Sequence, residues 1–306
     1  MSRKLLSVVI PCFNYGKYLQ RAVKSVMSQG IKDIELIIID DGSTDNTQNI
    51  ARQLIDEYSL YEIKYFFQLN AGASAAKNKG ISLSNGEFII LLDADDSLAD
   101  GALKKINEFI GSPENDVDAL IGAHISFDEE QGAEKIRRPG NIISNKKLNF
   151  KNYLFKKISV SNGAAVFHRK IFNEIKFSTS LVSGEDIPVF ALIFANFKCK
   201  SVNYPLARIF KHSDSLRSRS PGNDLLRSDI IKEIFTSPLL PHEMLTYQKP
   251  YAAYRCISAF KKEYRRGNYK KANSYFKRAA NLHFPIILNI RYTFKFVIGY
   301  IKLAFN

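Results

Sequence analysis

Residues 87–96 read EFIILLDADD. The apolar run Phe88 to Leu92 is too short for a helix and has the composition of a strand buried on both faces, as in parallel sheets. Its carboxyl end carries Asp93, Asp95 and Asp96, and in open α/β sheets ligands bind outside the carboxyl ends of strands. Upstream, Ile34 to Asp40 (IELIIID) is a second such strand, stopped by the turn residues of DGSTD. Ser7 to Pro11 reads as the first strand. Tyr18 to Met27 places apolar residues at helical spacing, helices are expected near Thr47 to Tyr58 and Ser74 to Leu83, and a strand near Ile63 to Phe67. Such alternation predicts a parallel sheet with crossover helices.

Downstream, Asp100 reads as the cap of a helix through Ile110. Val117 to Phe127 and Val160 to His168 read as longer strands, separated by a polar, basic stretch from Asp128 to Lys157. A helix follows Gly184, and a mixed segment runs from Tyr204 to Ser220. The expected class is therefore α/β, a mixed and mostly parallel Rossmann-like sheet flanked by helices. Its catalytic domain would span 1–220, with halves meeting near 98/99, and a basic helical extension would span 221–306.

The 306 residues, 45% hydrophobic and 24% charged, suit a folded catalytic domain with an appendage. Cys12, Cys199 and Cys256 lie far apart without zinc-site spacing, which suggests a reducing compartment. No signal peptide or membrane-spanning run is read from the sequence, so a soluble or peripheral cytoplasmic protein is expected. The net charge of +14 is uneven: from Ile230 onward fourteen basic residues face three acids. Nucleic-acid binding is not inferred, because that charge is confined to the tail and no nucleic-acid module is present.

Three carboxylates within four positions repel one another unless a cation sits among them. Magnesium or manganese suits such hard oxygen ligands and typically binds through one or two carboxylates plus substrate phosphates. A solvated, helix-capping loop is the plainer alternative for DADD. Asp40 and Asp41 end the neighbouring strand, where a carboxylate can accept the imide N–H of uracil; an Asx-rich turn explains the same residues structurally. Glu185 and Asp186 open an apolar helix, a placement that also stabilises a helix dipole.

Taken in order, VVIPCFNYGKYLQRAVKSVMSQ, IIIDDGSTDNT, NAGASAAKNKGI, GEFIILLDADD and SGEDIPVF resemble the successive motifs of family 2 glycosyltransferases with the GT-A fold, over about residues 5 to 215. The resemblance implies that Pro11, Phe13 and Asn14 line the base pocket and that Asp41 pairs with the nucleobase. Asp93, Ala94 and Asp95 would serve the ribose and a metal, Mn2+ or Mg2+, with Asp93 and Asp95 as its ligands. Gly72 would let a loop close over the nucleotide, and Gly163 would stand beside the donor sugar. Where the family often has arginine this chain has Lys77, a point charge without a bidentate fork. Asp186 would be the general base of an inverting displacement, with Glu185 positioning it. Arg208, Lys211, His212, Arg217 and Arg219 form a candidate basic flap, or alternatively a solvated basic loop. The implied substrates are a UDP-sugar and a saccharide or lipid-linked saccharide acceptor, as in bacterial surface polysaccharide or glycolipid assembly.

Two other readings compete: a haloacid-dehalogenase-type phosphatase using DADD, and a nucleotide-sugar binding protein without turnover. In the C-terminal third, Tyr247 to Arg266 and Tyr269 to Leu282 read as a helical hairpin. From Ile290 to Asn306, Arg291, Lys295 and Lys302 fall within about 40° on a helical wheel whose remainder is largely apolar. That fits a helix lying on an anionic membrane surface, or one packed on its own domain or on a second subunit of a homodimer.

Overall fold

The computed structural model describes residues 6–112, 116–212 and 226–304. The chain divides into two compact units, 1–219 and 220–306. In the first, β1 (Leu6–Cys12), β2 (Ile34–Asp40), β3 (Glu62–Phe67) and β4 (Phe88–Leu91) are joined by α1 (Gly16–Met27), α2 (Thr47–Glu57) and α3 (Ala73–Leu83). These four strands are mutually parallel, in the spatial order β3-β2-β1-β4. Every residue of β2 is buried, which explains its Ile/Leu-rich run from Leu36 to Ile39: helices cover both faces. Leu19, Ala22, Val23, Val26 and Met27 of α1 supply one covering layer. On the other face α3 approaches so closely that a Cβ on Gly80 would lie 2.2 Å from Val9 Cγ1.

Beyond β4 the sheet changes direction. The remaining elements of this unit are β5 (Ser97–Leu98), α4 (Ala102–Ile110), β6 (Ala119–Asp128), β7 (Ala133–Arg137), α5 (Lys146–Leu154), β8 (Ala165–His168), α6 (Ile171–Glu174), α7 (Asp186–Asn196) and β9 (Cys199–Lys211). The order continues β4-β8-β6-β9-β5, with β8 antiparallel to both β4 and β6, β9 parallel to β6, and β5 antiparallel to β9. Because β9 runs along one edge of β6, β8 and β7 share the other, at residues 119–121 and 124–128 respectively.

Three sequence expectations change. Asp100 does not cap α4; the preceding residue is Gly101 at φ +72°, a left-handed conformation suited to glycine. The strand expected over Val160 to His168 is only Ala165–His168, because Asn162–Ala164 wind into a 3-10 turn. The polar stretch 128–157 holds β7 and α5; β7 is solvent-exposed throughout, so no alternation marks it.

The second unit contains α8 (Ser228–Phe235), α9 (Gln248–Arg265), α10 (Tyr269–Leu282) and α11 (Ile290–Ala304). Helices α9 and α10 turn at Gly267 (φ +79°) and close on a small core of Ala253, Cys256, Ile257, Phe260, Ala272, Phe276 and Ala279. Among the described residues no helix is long and apolar enough to cross a membrane. The three cysteines are free and buried; burial pushes the Cys12 thiol up to about 12, which removes it as a nucleophile.

Candidate active site

Parallel β1, β2 and β4 present their carboxyl ends to one edge, and the motif residues follow from there. The β1 chain leaves the sheet through Phe13, 44% exposed, and Asn14, whose φ of +54° is tolerable for asparagine. Asn14 Oδ1 accepts from the Thr44 N–H at 2.7 Å and the Asp45 N–H at 3.3 Å. In return Ser43 Oγ accepts from the Asn14 N–H at 2.9 Å and Asp45 Oδ2 from the Gly16 N–H at 3.1 Å. The two turns are thus laced together beside Pro11. Burial raises the Asp45 carboxyl, but bonds from Thr47 and the Gly16 N–H outweigh it and hold the group below its ordinary range.

Asp41 is buried and already engaged: Oδ1 accepts from Gln68 Nε2 at 2.6 Å and the Ala71 N–H at 2.9 Å, and Oδ2 from the Gly72 N–H at 2.9 Å. Its visible work is to fix the 68–72 loop. Gly72 starts α3 with φ +89° and open space where a Cβ would stand, so backbone conformation rather than crowding calls for glycine. Asp40 accepts from Tyr65 Oη at 2.6 Å and from the Ser43 N–H at 2.8 Å.

The second group lies at the end of β4. Lys77 projects from α3, 3% exposed, and donates to Glu185 Oε1 at 2.8 Å and Asp186 Oδ1 at 2.9 Å at the start of α7. Burial opposes its charge, yet attraction from Asp186, Asp93 and Glu185 holds the ammonium above the ordinary lysine range. Burial also raises the Asp93 carboxyl, to about 6; Lys77 opposes that rise, while Asp95, Asp186 and Glu185 add to it. Four carboxylates from segments about 90 residues apart in sequence therefore share one electrostatic neighbourhood, in which Lys77 is the cation of Asp93, Glu185 and Asp186.

Asp95 and Asp96 are held differently. Asp95 Oδ2 lies 3.1 Å from His212 Nε2, whose Nδ1 is 3.2 Å from Tyr18 Oη. Asp96 Oδ1 accepts from the Phe210 N–H at 3.0 Å, and Ala94 between the acids is buried. Arg21 of α1, unremarked in the sequence, donates Nη2 to the Asp95 carbonyl and Nη1 to Glu129 at 2.7 Å while stacking 3.4 Å from the Phe210 ring centroid. Only its place in the helix-one motif could have pointed to it. Of the candidate flap, His212 meets the acidic loop. Arg208 does not belong to a flap: β9 stays paired to β6 through Lys211, and Arg208 turns to Glu134 at 2.8 Å. Arg217 and Arg219 lie outside the described residues.

Asn162 and Gly163 bring the far half of the sheet to the same place. Asn162 Nδ2 is 3.4 Å from Asp186 Oδ2. A Cβ on Gly163 would fall 2.9 Å from Leu92 Cδ1 and 3.2 Å from Ala207 Cβ, so this turn is seated against the residue preceding Asp93. Among the described residues no group of three or more His, Cys, Asp or Glu side chains is placed to hold a metal ion. The donor set nonetheless fits a hard divalent ion: the acids around Asp93 outnumber their one ammonium, and such ions need few protein ligands when phosphates and water complete the shell.

The profile described as glycosyl transferase family 2 matches residues 7–176, more than half of the chain. The chain belongs to glycosyl transferase family 2. Among its relatives, glycosyltransferase GlyG of Streptococcus pneumoniae is 36% identical over 132 residues, 42% of each chain, so the match spans less than half of GlyG. Poly(ribitol-phosphate) beta-N-acetylglucosaminyltransferase TarP of Staphylococcus aureus is 31% identical over 260 residues, covering 80% of this chain and 76% of TarP. The GalNAc(5)-diNAcBac-PP-undecaprenol beta-1,3-glucosyltransferase of Campylobacter jejuni is 29% identical over 59% of this chain and 57% of its own length. In structure, residues 1-349 of S. aureus TarS, solved with UDP-GlcNAc, match at a TM-score of 0.70 and 18% identity over 97% of this chain and 89% of that one. The mannosyltransferase PcManGT from Pyrobaculum calidifontis, solved with GDP-Man and Mn2+, matches at 0.53 and 16% identity over 95% and 86%. The fold is GT-A. Neither the phosphatase nor the non-catalytic reading gains support from these relatives.

Proposed function

We propose that this family 2 chain transfers a hexose-type sugar from a uridine diphosphate sugar to an acceptor hydroxyl, with inversion at the anomeric carbon. The observation that carries the reading is the gathering of Asp93, Glu185 and Asp186 around Lys77, with Asp95 close to Asp93. Asp186 is the general base: its Oδ2, the oxygen facing Asn162 rather than Lys77, takes the acceptor proton as the new C1–O bond forms and the bond to the diphosphate breaks. Glu185 shares Lys77 and keeps Asp186 at the helix start. Lys77 offers a buried positive charge to the phosphates. Asp41 preserves the 68–72 loop on the uracil side, and Pro11, Phe13 and Asn14 wall that side of the pocket. A divalent ion held by Asp93 and Asp95 supplies, when bound, neutralisation of the departing diphosphate. In support, relatives include named sugar transferases, and the TarS structure was solved with UDP-GlcNAc.

Asp186→Asn should retain UDP binding by calorimetry and lose transfer by a factor of at least ~100, the usual scale for a positioned base. Transfer at near-normal rate would reassign the base. A panel of nucleotide sugars read by manganese-dependent thermal shift identifies the donor.

Within the second unit, α11 supports attachment to the cytoplasmic membrane leaflet. Phe296 stacks on Phe276 with centroids 4.4 Å apart, and Gly299 fits against Asn273. A different side leaves Ile290, Phe294, Val297 and Ile301 exposed, with Arg291, Lys295 and Lys302 along the adjoining strip. An apolar stripe next to cations matches an anionic bilayer, each cation near the surface contributing ~1 kcal/mol. The full chain should float with phosphatidylglycerol vesicles, and Phe294→Asp with Ile301→Asp should abolish flotation. A dimer by light scattering that these changes dissociate, with flotation unaltered, would give the stripe to a second subunit.

A further inference from the structure

The polar stretch 128–157 has a property that the transfer chemistry does not use. Its strand β7 and the end of α5 meet in a groove of about 590 Å³ lined by Lys135, Ile136, Arg137, Arg138, Lys156, Lys157 and Ser159. Five of the seven lining residues are cationic and none is acidic. Among the described residues no hydrogen bond or ion pair engages these five side chains, whereas Arg21, Lys77 and Arg208 are each met by a carboxylate.

The convergence is built into the backbone. Ser159 N–H donates to the Pro139 carbonyl at 2.9 Å. Gly140 takes φ +90°, and a Cβ there would fall 2.3 Å from the Lys157 carbonyl oxygen, so the two segments touch. Helix α5 ends with Lys156 at φ +59°, while the Lys157 N–H and Ile158 N–H both return to the Asn152 carbonyl, at 2.7 and 3.1 Å. That left-handed position ordinarily belongs to glycine. Lysines on an exposed edge strand guard against aggregation, and a cation at a helix C-terminus complements its dipole. Neither accounts for both sets facing one groove.

The groove also lies close to the reaction. Ser159 precedes Asn162 by three residues, at most ~11 Å of extended chain, and Asn162 faces Asp186. We propose that this groove binds the acceptor, and that the acceptor is a polymer carrying repeated phosphate diesters. The assignment rests on the glycosyl-transfer reading of the neighbouring site. A concave cationic wall with one apolar side chain suits a soluble polyanion better than a bilayer, which calls for apolar insertion. Single-stranded nucleic acid is disfavoured because no aromatic lines the groove for base stacking.

The test is fluorescence anisotropy of the full chain with a labelled polyol-phosphate oligomer, against a single-stranded DNA oligonucleotide and phosphatidylglycerol vesicles. Each cation removed should weaken oligomer binding at 0.1 M salt by roughly fivefold and lower the salt slope by about 0.7. The variants are Arg137→Gln with Lys157→Gln, and Lys156→Gly, with Lys104→Gln plus Lys249→Gln as the charge-matched control. Lys156→Gly is decisive about folding: glycine relieves the left-handed backbone, so this variant should melt no lower than wild type while binding weakens. Unchanged binding in the groove variants, equal loss in the control, or tighter binding to DNA or vesicles through these same residues would overturn the assignment. If the oligomer binds through the groove but no donor sugar is ever transferred, the groove stands and the transferase reading fails.

Discussion

Replacing Glu35 with alanine should destabilise the first unit more than any other single side-chain truncation at a charged position. Glu35, second residue of β2, is wholly buried. Its Oε1 accepts from Ser7 Oγ at 2.6 Å, from the Gly86 N–H at 3.2 Å and from the Asn85 N–H; its Oε2 accepts from Lys64 Nζ at 2.9 Å. The carboxylate thereby ties β1, β2, β3 and the turn into β4 at the edge opposite the site. Removing it strands two donors, the Ser7 hydroxyl and the Asn85 N–H, at ~1–3 kcal/mol each. Lys64 is not stranded, since it keeps Glu62 at 2.7 Å and is partly exposed, and the Gly86 N–H keeps Ser7 Oγ at 2.8 Å. The sum is ~4 kcal/mol. Glu35→Gln keeps an acceptor for the stranded pair and sets an amide against Lys64, so it should cost only ~1–2 kcal/mol.

Urea titration of both variants measures these differences through the midpoint. Equal losses for the two, or less than ~1 kcal/mol for alanine, would refute the hydrogen-bond argument. The same residue sets a pH response. Burial raises the Glu35 carboxyl, but Ser7, Asn85 and Lys64 together hold it below its ordinary value. Its contribution is therefore full above the unfolded glutamate pKa near ~4.3 and is lost as pH falls through the lower folded value. The wild type should lose stability across that acid window more steeply than Glu35→Gln, which has no proton to gain there.

Lys77→Met should lower stability by ~3 kcal/mol in urea titration, because Glu185, Asp186 and Asp93 lose their cation; added Mn2+ should recover part of the loss as a thermal shift, and a variant as stable as wild type would dissolve the proposed cluster. Gly80→Ala should destabilise by ~1–3 kcal/mol, since its Cβ would meet Val9 Cγ1 at 2.2 Å, and soluble yield with melting temperature would register it.

Much of the parallel half of the sheet was legible because its signals are local. A strand buried on both faces, such as Ile34–Asp40, is apolar at most positions, and a helix covering it has to repeat its apolar residues, as α1 does. What escaped was set by distance or by exposure. Glu35 sits inside an apolar run, and nothing nearby announces that Ser7 and Asn85 will surround it. The Lys77 pairs span 108 and 109 residues, so each motif was readable while the ion pairs joining them were not. Strand β7 exposes every side chain and leaves no periodicity to find. Arg208 looked like a loop cation because β9 shifts register against β6 near Gly122 and Ala123, which disguises its alternation.

The seat of Gly163 against Leu92 and Ala207 has a mechanical meaning. The turn that carries Asn162 toward Asp186 and the strand end that carries Asp93 are separated by the thickness of one absent methyl group. A single added carbon at residue 163 would therefore act as a wedge, pushing the Asn162 turn away from the strand end that leads into Asp93 while leaving each polar group chemically intact.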